Sequence, residues 1–593
     1  MMDKCIGDYA MIGDGETAAL ISRTAALEWL CLPRFDSEAC CAAILGDKEN
    51  GCWHMTLKGG VTETKRRYRE KTLILETVLT CDTGKVRLTD FMPIRGSMPD
   101  VVRIAECIEG EAELTSELFL RFDYGRISPL VRTCEGKHLL AISGPDGVSL
   151  DFDDEIHFDD RRFTTQSAMR KGDRRSFVLT WYPSHEDPPE RVDPDEALTR
   201  TQRYWREWIR CMDYDGPYAE AVARSLITLK AMIHHSTGGI VAAPTASLPE
   251  WIGGERNWDY RFCWLRDATF SLLSLIRMGL QDEAHAWIDW LRRAVGGEPI
   301  DLKPFYTVTG QPRAIEWKAP WLPGFGESTP VRFGNQAIEQ LQLDIYGEVI
   351  DCLYQARREG LCNDGDSSHL VRLIADSLRD VWDRPDAGIW ESRGAPRHHV
   401  YSKVMCWVAF DRAAHWFEDE EPDLSAQYAE LAQTVRNCVL ERGWSDKLGR
   451  FTRAFDDPHL DAALLRLPMV DFLPADEPRM AATIDAIERE LSVSDGVILR
   501  YRPEQTDDGF DCPEGAFTAA CFWLAEARAM QGDEERAQHI FENVLSRAND
   551  VGLLAEQLDW ESGRQLGNFP QALSHLALIR VAHTLKTGKR RGE

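Results

Sequence analysis

Gly216-Pro217-Tyr218-Ala219-Glu220-Ala221-Val222-Ala223-Arg224-Ser225-Leu226-Ile227-Thr228-Leu229-Lys230-Ala231-Met232-Ile233 is the stretch at which the chain changes its period. Val222, Leu226, Leu229 and Ile233 recur at helical spacing, which gives one apolar helix face. Upstream of Pro217 the apolar residues alternate instead. Thr72 to Leu79 reads as a strand, Asp82-Thr83-Gly84 as a turn, and Val86 to Phe91 as the returning strand. Val101 to Ile108, Glu117 to Phe122, Val148 to Phe152 and Ser176 to Trp181 repeat the pattern. Many short strands with polar turns predict an antiparallel β-sandwich over residues 1–192. Asp193 to Met212, with Trp205 and Trp208, reads as a linker helix within 193–216, and an all-α domain follows over 217–587.

Within that second half, Ile338, Leu341 and Ile345 share one predicted helix face, as do Leu370, Leu373, Ile374, Leu378 and Val381. Tyr428 to Val439, Met480 to Leu491, Phe517 to Leu524, Ala537 to Leu545 and Leu573 to Leu585 are also amphipathic, and Leu460 to Leu465 gives the weakest signal. About a dozen helices result. A closed ring of helical hairpins with its site in loops at one end, an (α/α)6 barrel, is one arrangement that produces this layout. The tail from Lys586 to Glu593 reads as a frayed end.

The 593 residues exceed what a single hydrophobic core organises, in agreement with two domains. A formal charge of -28 repels phosphate backbones and anionic lipid, so nucleic acid and membrane surfaces are not expected partners. The start of the chain shows no apolar signal region, and no apolar run approaches membrane-spanning length. The 16 cysteines show no C-x-x-C spacing and read as reduced thiols, so the cytoplasm is the expected compartment. A homo-oligomer is compatible with all of this. The 19 tryptophans suit a site that lays sugar rings on aromatic faces, although most tryptophans in any chain are core.

Four loops concentrate polar and aromatic residues. In the first, Ala242 to Asp267, adjacent Arg266 and Asp267 at a helix start can hold vicinal sugar hydroxyls; the plainer alternative is a cap with an ion pair. The second, Gly388-Ile389-Trp390-Glu391-Ser392-Arg393-Gly394, puts a carboxylate beside Trp390, where desolvation favours its neutral form, as a general acid needs. The third, Leu499 to Phe517, offers Arg500, Glu504 and Glu514 for hydroxyl binding, or a buried ion-pair network. The fourth, Leu553 to Ala572, isolates Glu556 from lysine and arginine; it serves as a base or as a helix cap. Two carboxylates from separate loops fit glycoside hydrolysis, but spacing does not choose the pair.

At these segments the chain resembles glycoside hydrolase family 15, the glucoamylase, glucodextranase and trehalase family, in its bacterial and archaeal form. Ile6-Gly7-Asp8-Tyr9 with Trp29 to Ser37 is similar to the family's N-terminal signature, and Asn257 to Arg261 with Trp264 and Arg266-Asp267 to its glucose-binding signature. Phe333-Gly334-Asn335 with Gln340 to Glu348, Gly388 to Gly394, and Glu556-Gln557 with Leu566 to Gln571 follow in order. The resemblance implies an N-terminal β-sandwich, a C-terminal (α/α)6 barrel and inverting hydrolysis, with Glu391 as acid and Glu556 as base. It implies that Arg266 and Asp267 grip the non-reducing glucose, with Trp390, Arg500, Trp264, Tyr260 and Glu514 as further substrate contacts. No metal or organic cofactor is expected, because two carboxylates and water supply the reaction.

Ser392 follows Glu391 where fungal glucoamylases carry a second glutamate, which weakens an expectation of long starch chains. The substrate expected first is a maltose-like oligosaccharide, cleaved from its non-reducing end to β-glucose. Trehalase is the alternative, then an isomaltose- or dextran-directed glucohydrolase. A non-catalytic sugar sensor is the reading from another class, and retention of both Glu391 and Glu556 opposes it. Pro33-Arg34-Phe35-Asp36 is expected to close over the barrel mouth.

Overall fold

The computed structural model describes residues 4–587 apart from 136, 160, 298–301 and 363; the tail at 588–593 lies outside the described residues. The first half is built of two antiparallel layers that share one 20-residue strand, Asp100–Phe119. Its N-terminal part pairs with Gly84–Phe91 and Arg174–Pro183, and its C-terminal part with Cys52–Leu57 and Phe163–Arg170. Sequence reading expects two strands here, over 101–108 and 117–122. They are one, because the acidic run at 109–111 stands in solvent while its backbone stays in the ladder, Gly110 opposite Gly84 and Glu111 opposite Arg170. Gly110, at φ 67°, makes the bend; a Cβ there would meet the Thr83 carbonyl.

The layers meet face to face through Trp53, stacked on Phe152 with ring centroids 5.6 Å apart. Arg103 crosses between them, wholly buried, donating to Asp90 and to the carbonyls of Trp53 and Ala25. The strand expected from Thr72 begins only at Leu75, because the Thr72 hydroxyl donates to the Arg69 carbonyl and accepts from the Ile74 N–H, closing a turn. Helix α1 (Pro194–Trp208) then lies on the sheet, with Ala197 against Ile74, Phe91, Val102 and Val178.

The second half is a ring of helices in two shells. The inner shell holds α3 (Ala268–Arg277), α5 (Asp344–Arg358), α7 (Val400–Phe417), α10 (Thr518–Met530) and α12 (Ala572–Thr587). Outside them stand α2 (Ala219–Met232), α4 (Gln281–Val295), α6 (Gly365–Arg379), α8 (Pro422–Arg442), α9 (Pro478–Leu491) and α11 (Glu534–Leu545). α12 packs on both α2 and α3 and so closes the ring. The sixth inner place is taken by two short 3-10 turns, Ala462–Arg466 and Pro468–Val470, packed on α7 and α10. This is the segment with the weakest helical signal. Pro468 offers no N–H, and Asp471 turns left-handed at φ 64°, so no α-helix propagates.

Inner helices are buried nearly all round, as α7 is, whereas outer helices such as α4 and α11 keep one wet face. The helix expected over Ile338, Leu341 and Ile345 is interrupted. Gln336–Glu339 is a 3-10 turn capped by Asn335, and α5 begins at Asp344. Gln340 instead turns its amide to the carbonyls of Glu391 and Ser392, at 3.2 and 3.0 Å.

The loop at 33–37 does not close the mouth. It packs behind the first polar loop, where the buried Arg261 guanidinium donates to Ser37 O at 2.7 Å, to Tyr124 Oη at 3.0 Å and to both oxygens of Asp259. Arg261 thus ties the sandwich to the loop that leads into α3. Arg261→Ala would leave Asp259 buried without its counter-charge, at an expected cost of about 3–5 kcal/mol. Thermal unfolding of the variant checks this; an unchanged melting temperature would contradict it.

Candidate active site

The polar loops meet at one end of the ring, where each runs into the N-terminus of an inner helix: Arg266-Asp267 into α3, Glu391 toward α7, Glu514 into α10 and Glu556 toward α12. Between them lies a pocket walled by Glu250, Tyr260, Arg266, Trp390, Glu391 and Arg500, with Trp258, Phe510 and Arg393 at its rim. Arg393 sits over the Trp258 ring at 4.4 Å and pairs with Glu316, so the loop around Glu316 folds onto the rim.

Glu391 adopts φ 58°, a left-handed conformation that costs a non-glycine residue energy and fixes where its carboxylate points. Oε1 accepts from Trp264 Nε1 and lies 3.3 Å from Arg266 Nη1. Burial raises its pKa above the usual glutamate value, and Arg266 and the Trp264 hydrogen bond only partly oppose that. Arg266 also donates to Asp267 at 3.2 Å and to the Ile389 carbonyl at 3.2 Å, which locks the pair against the Glu391 loop.

Glu556 is wholly buried. Oε1 accepts from Tyr260 Oη at 2.6 Å, and Oε2 from the Asn568 N–H at 3.2 Å. Gly567, at φ 72°, lies so close that a Cβ would come within 2.5 Å of Oε2. Burial first, and then the charge of Glu250, push the Glu556 pKa up to about 8, against the pull of Arg500. Tyr260 lines the pocket and Trp264 stands beside it with ring centroids 5.1 Å apart, so this aromatic pair bridges Glu556 and Glu391.

The remaining expected contacts divide in two. Trp390 lines the pocket and is held by Asp461, whose oxygens accept from Nε1 at 2.8 and 3.0 Å. Arg500 lines it too, under Trp390 at 5.3 Å. Glu514, in contrast, is turned away from the pocket lining and grips Arg500 through both oxygens. Trp264 and Asp267 likewise support the wall from behind. Asn335, from the quoted Phe333-Gly334-Asn335 motif, lines the pocket, and Glu250, Arg256, Tyr501 and Asp508 do so without having been given a role beforehand. They lie in or between the quoted loops, but their spacing carries no signal that separates a wall residue from an ordinary loop residue. Among the described residues no group of His, Cys, Asp and Glu is placed to hold a metal ion, and no helix is long and apolar enough to cross a membrane.

The family model for glycosyl hydrolases family 15 matches residues 216–583, the whole ring and every loop of this pocket. The chain belongs to that family. It is a glycoside hydrolase, and the sensor reading falls away. The model of a trehalase-like N-terminal domain matches residues 3–179 of this family 15 enzyme. It is 37% identical to a trehalase of Mycolicibacterium smegmatis over 98% of this chain and 91% of the relative. To a trehalase of Thermoplasma volcanium it is 34% identical, over 98% of the chain and 93% of the relative. A bacterial glucoamylase complexed with acarbose has the same fold, with a TM-score of 0.76 at 14% identity, covering 99% of this chain and 95% of that one.

Proposed function

We propose that this enzyme is a trehalase, hydrolysing α,α-trehalose with inversion. What carries the reading is likeness to trehalases along both halves of the chain, the N-terminal domain included. It has more support than the maltose-like substrate expected first, since the glucoamylase likeness concerns the fold alone.

In this mechanism Glu391 is the general acid, its neutral form favoured by burial, and protonates the glycosidic oxygen as it leaves. Glu556 is the general base. It takes a proton from a water that enters between it and the anomeric carbon, with Tyr260 fixing its carboxylate. Arg266 holds hydroxyls of the glucose that keeps the reacting carbon, with Asp267 bracing its guanidinium from behind, and Trp390 offers the sugar an aromatic face. A reducing compartment such as the cytoplasm suits the fifteen described cysteines, none of them in a disulfide.

Proton NMR of early anomeric signals, with trehalose, maltose and isomaltose in separate tubes, tests the assignment. Inversion of trehalose gives one β-glucose for each α-glucose, because the leaving half keeps its configuration. α-Glucose alone would mean retention, and turnover confined to another tube would reassign the substrate.

A pH profile follows from the same geometry. A base must be ionised, and the Glu556 pKa is pushed up to about 8. The acid Glu391 must meanwhile keep its proton, so on trehalose kcat/KM is expected to be bell-shaped, with one limb set by Glu556 at pH ~8 and the other by Glu391. A profile with no limb near pH ~8 would remove Glu556 as a titrating group.

A further inference from the structure

Glu250 follows the short strand Ala246–Pro249, and its backbone is held on both sides. Its N–H donates to the Arg256 carbonyl at 3.1 Å, and its own carbonyl accepts from the Gly515 N–H at 3.0 Å. The side chain is therefore fixed in the pocket wall, with the residue 1% exposed. Oε2 accepts from Arg500 Nη2 at 2.9 Å, while Oε1 is buried without a hydrogen-bond partner. Beside it the Gln557 amide is also buried; its N–H reaches toward Glu250 and partly offsets the rise that burial gives that carboxyl's pKa, but neither amide atom completes a hydrogen bond.

Charge balance accentuates the vacancy. Arg500 gives Glu514 two bonds and Glu250 one, and Arg256 goes to Asp508 at 2.8 Å, standing 3.7 Å from Glu514. Three carboxylates thus share two guanidiniums, and Glu250 and Asp508 take one bond each. A buried carboxylate oxygen without a donor is costly, and a neutral O–H relieves it. A hydroxyl also both donates and accepts, so it can complete the incomplete Glu250–Gln557 pair.

The position in the pocket indicates which hydroxyl. On the reading above, Arg266, braced by Asp267, belongs to the retained glucose. Glu250 hangs instead on Arg500, which lies 5.3 Å from the ring of Trp390, the residue preceding the acid. The acid stands at the leaving oxygen, so this corner borders the leaving glucose. Ser392, next after the acid, brings no carboxylate there.

We propose that Glu250 is a specificity-determining residue whose Oε1 accepts a hydroxyl of the leaving glucose, with Arg500 holding the carboxylate in place. This rests on the trehalase reading. The test compares wild type and Glu250→Gln on trehalose and on α-D-glucosyl fluoride, which has no leaving sugar. In the variant the amide oxygen turns to Arg500 and a donor replaces the acceptor. For trehalose, kcat/KM is expected to fall about 30- to 100-fold, and for the fluoride by no more than about threefold. Equal losses on both substrates overturn the proposal and leave the trehalase reading standing. Wild-type enzyme that turns over the fluoride but not trehalose overturns that reading instead. Should Glu250→Gln fail to fold, Glu250→Asp keeps the charge on Arg500 but withdraws the oxygen. The same selective loss is expected of it, and equal losses again overturn the proposal.

Discussion

Glu556→Gln is expected to lower kcat on trehalose by about 10³- to 10⁴-fold while leaving the fold intact. The amide has the shape of the carboxyl and can still accept from Tyr260, but it cannot take a proton from water. The bond from Tyr260 Oη is kept, and only the 3.2 Å bond from the Asn568 N–H is lost to the amide nitrogen. Near-normal turnover would remove Glu556 as the base.

The same variant carries a stability signature. Burial holds the folded-state pKa of Glu556 near 8, against 4.5 as its ordinary value. A carboxyl raised in this way contributes stability below its unfolded pKa and loses it as pH rises through the folded one. Glutamine does not titrate. The melting temperature of Glu556→Gln relative to wild type should therefore increase as pH climbs from about 5 to about 9. A difference independent of pH would mean that Glu556 ionises in the folded enzyme as it does in water.

Glu391→Gln separates acid catalysis from binding. Glucose is a poor leaving group and needs the proton, so kcat on trehalose should fall about 10²- to 10⁴-fold. Fluoride leaves without one, and α-D-glucosyl fluoride should lose less than about tenfold. The substitution is mild for the structure. Glutamine pays the same backbone strain at φ 58°, and its carbonyl oxygen can still accept from Trp264 and Arg266. Equal losses on the two substrates would show that Glu391 positions the sugar and does not protonate it.

The two halves of the fold are legible as a change of period at Pro217, because a half-buried strand and an outer helix each expose one face to water. Amphipathicity is absent where both faces are covered. α7 is buried nearly all round and gives little periodic signal, although Trp407 marks it. The 3-10 turns at 462–470 give a weak one because they never become an α-helix. The strand Asp100–Phe119 reads as two, since its charged middle looks like a turn until its pairing partners are known.

The sequence by itself determined the family, the two-domain order and the loops that hold the polar residues, since these reside in local pattern and motif. Only the tertiary structure decided how the carboxylates in those loops differ. Glu514 and Glu556 are both buried and both precede an inner helix, and nothing in their spacing tells them apart. In the folded chain Glu514 is neutralised by Arg500, 14 residues before it in sequence, whereas Glu556 meets a tyrosine hydroxyl from 296 residues away and feels Arg500 only at longer range. Glu250 came into view the same way, through an oxygen left empty by partners 250 residues distant. Ionisation in a buried site depends on which charges the fold brings within a few ångströms, and that distance is not written in the order of residues.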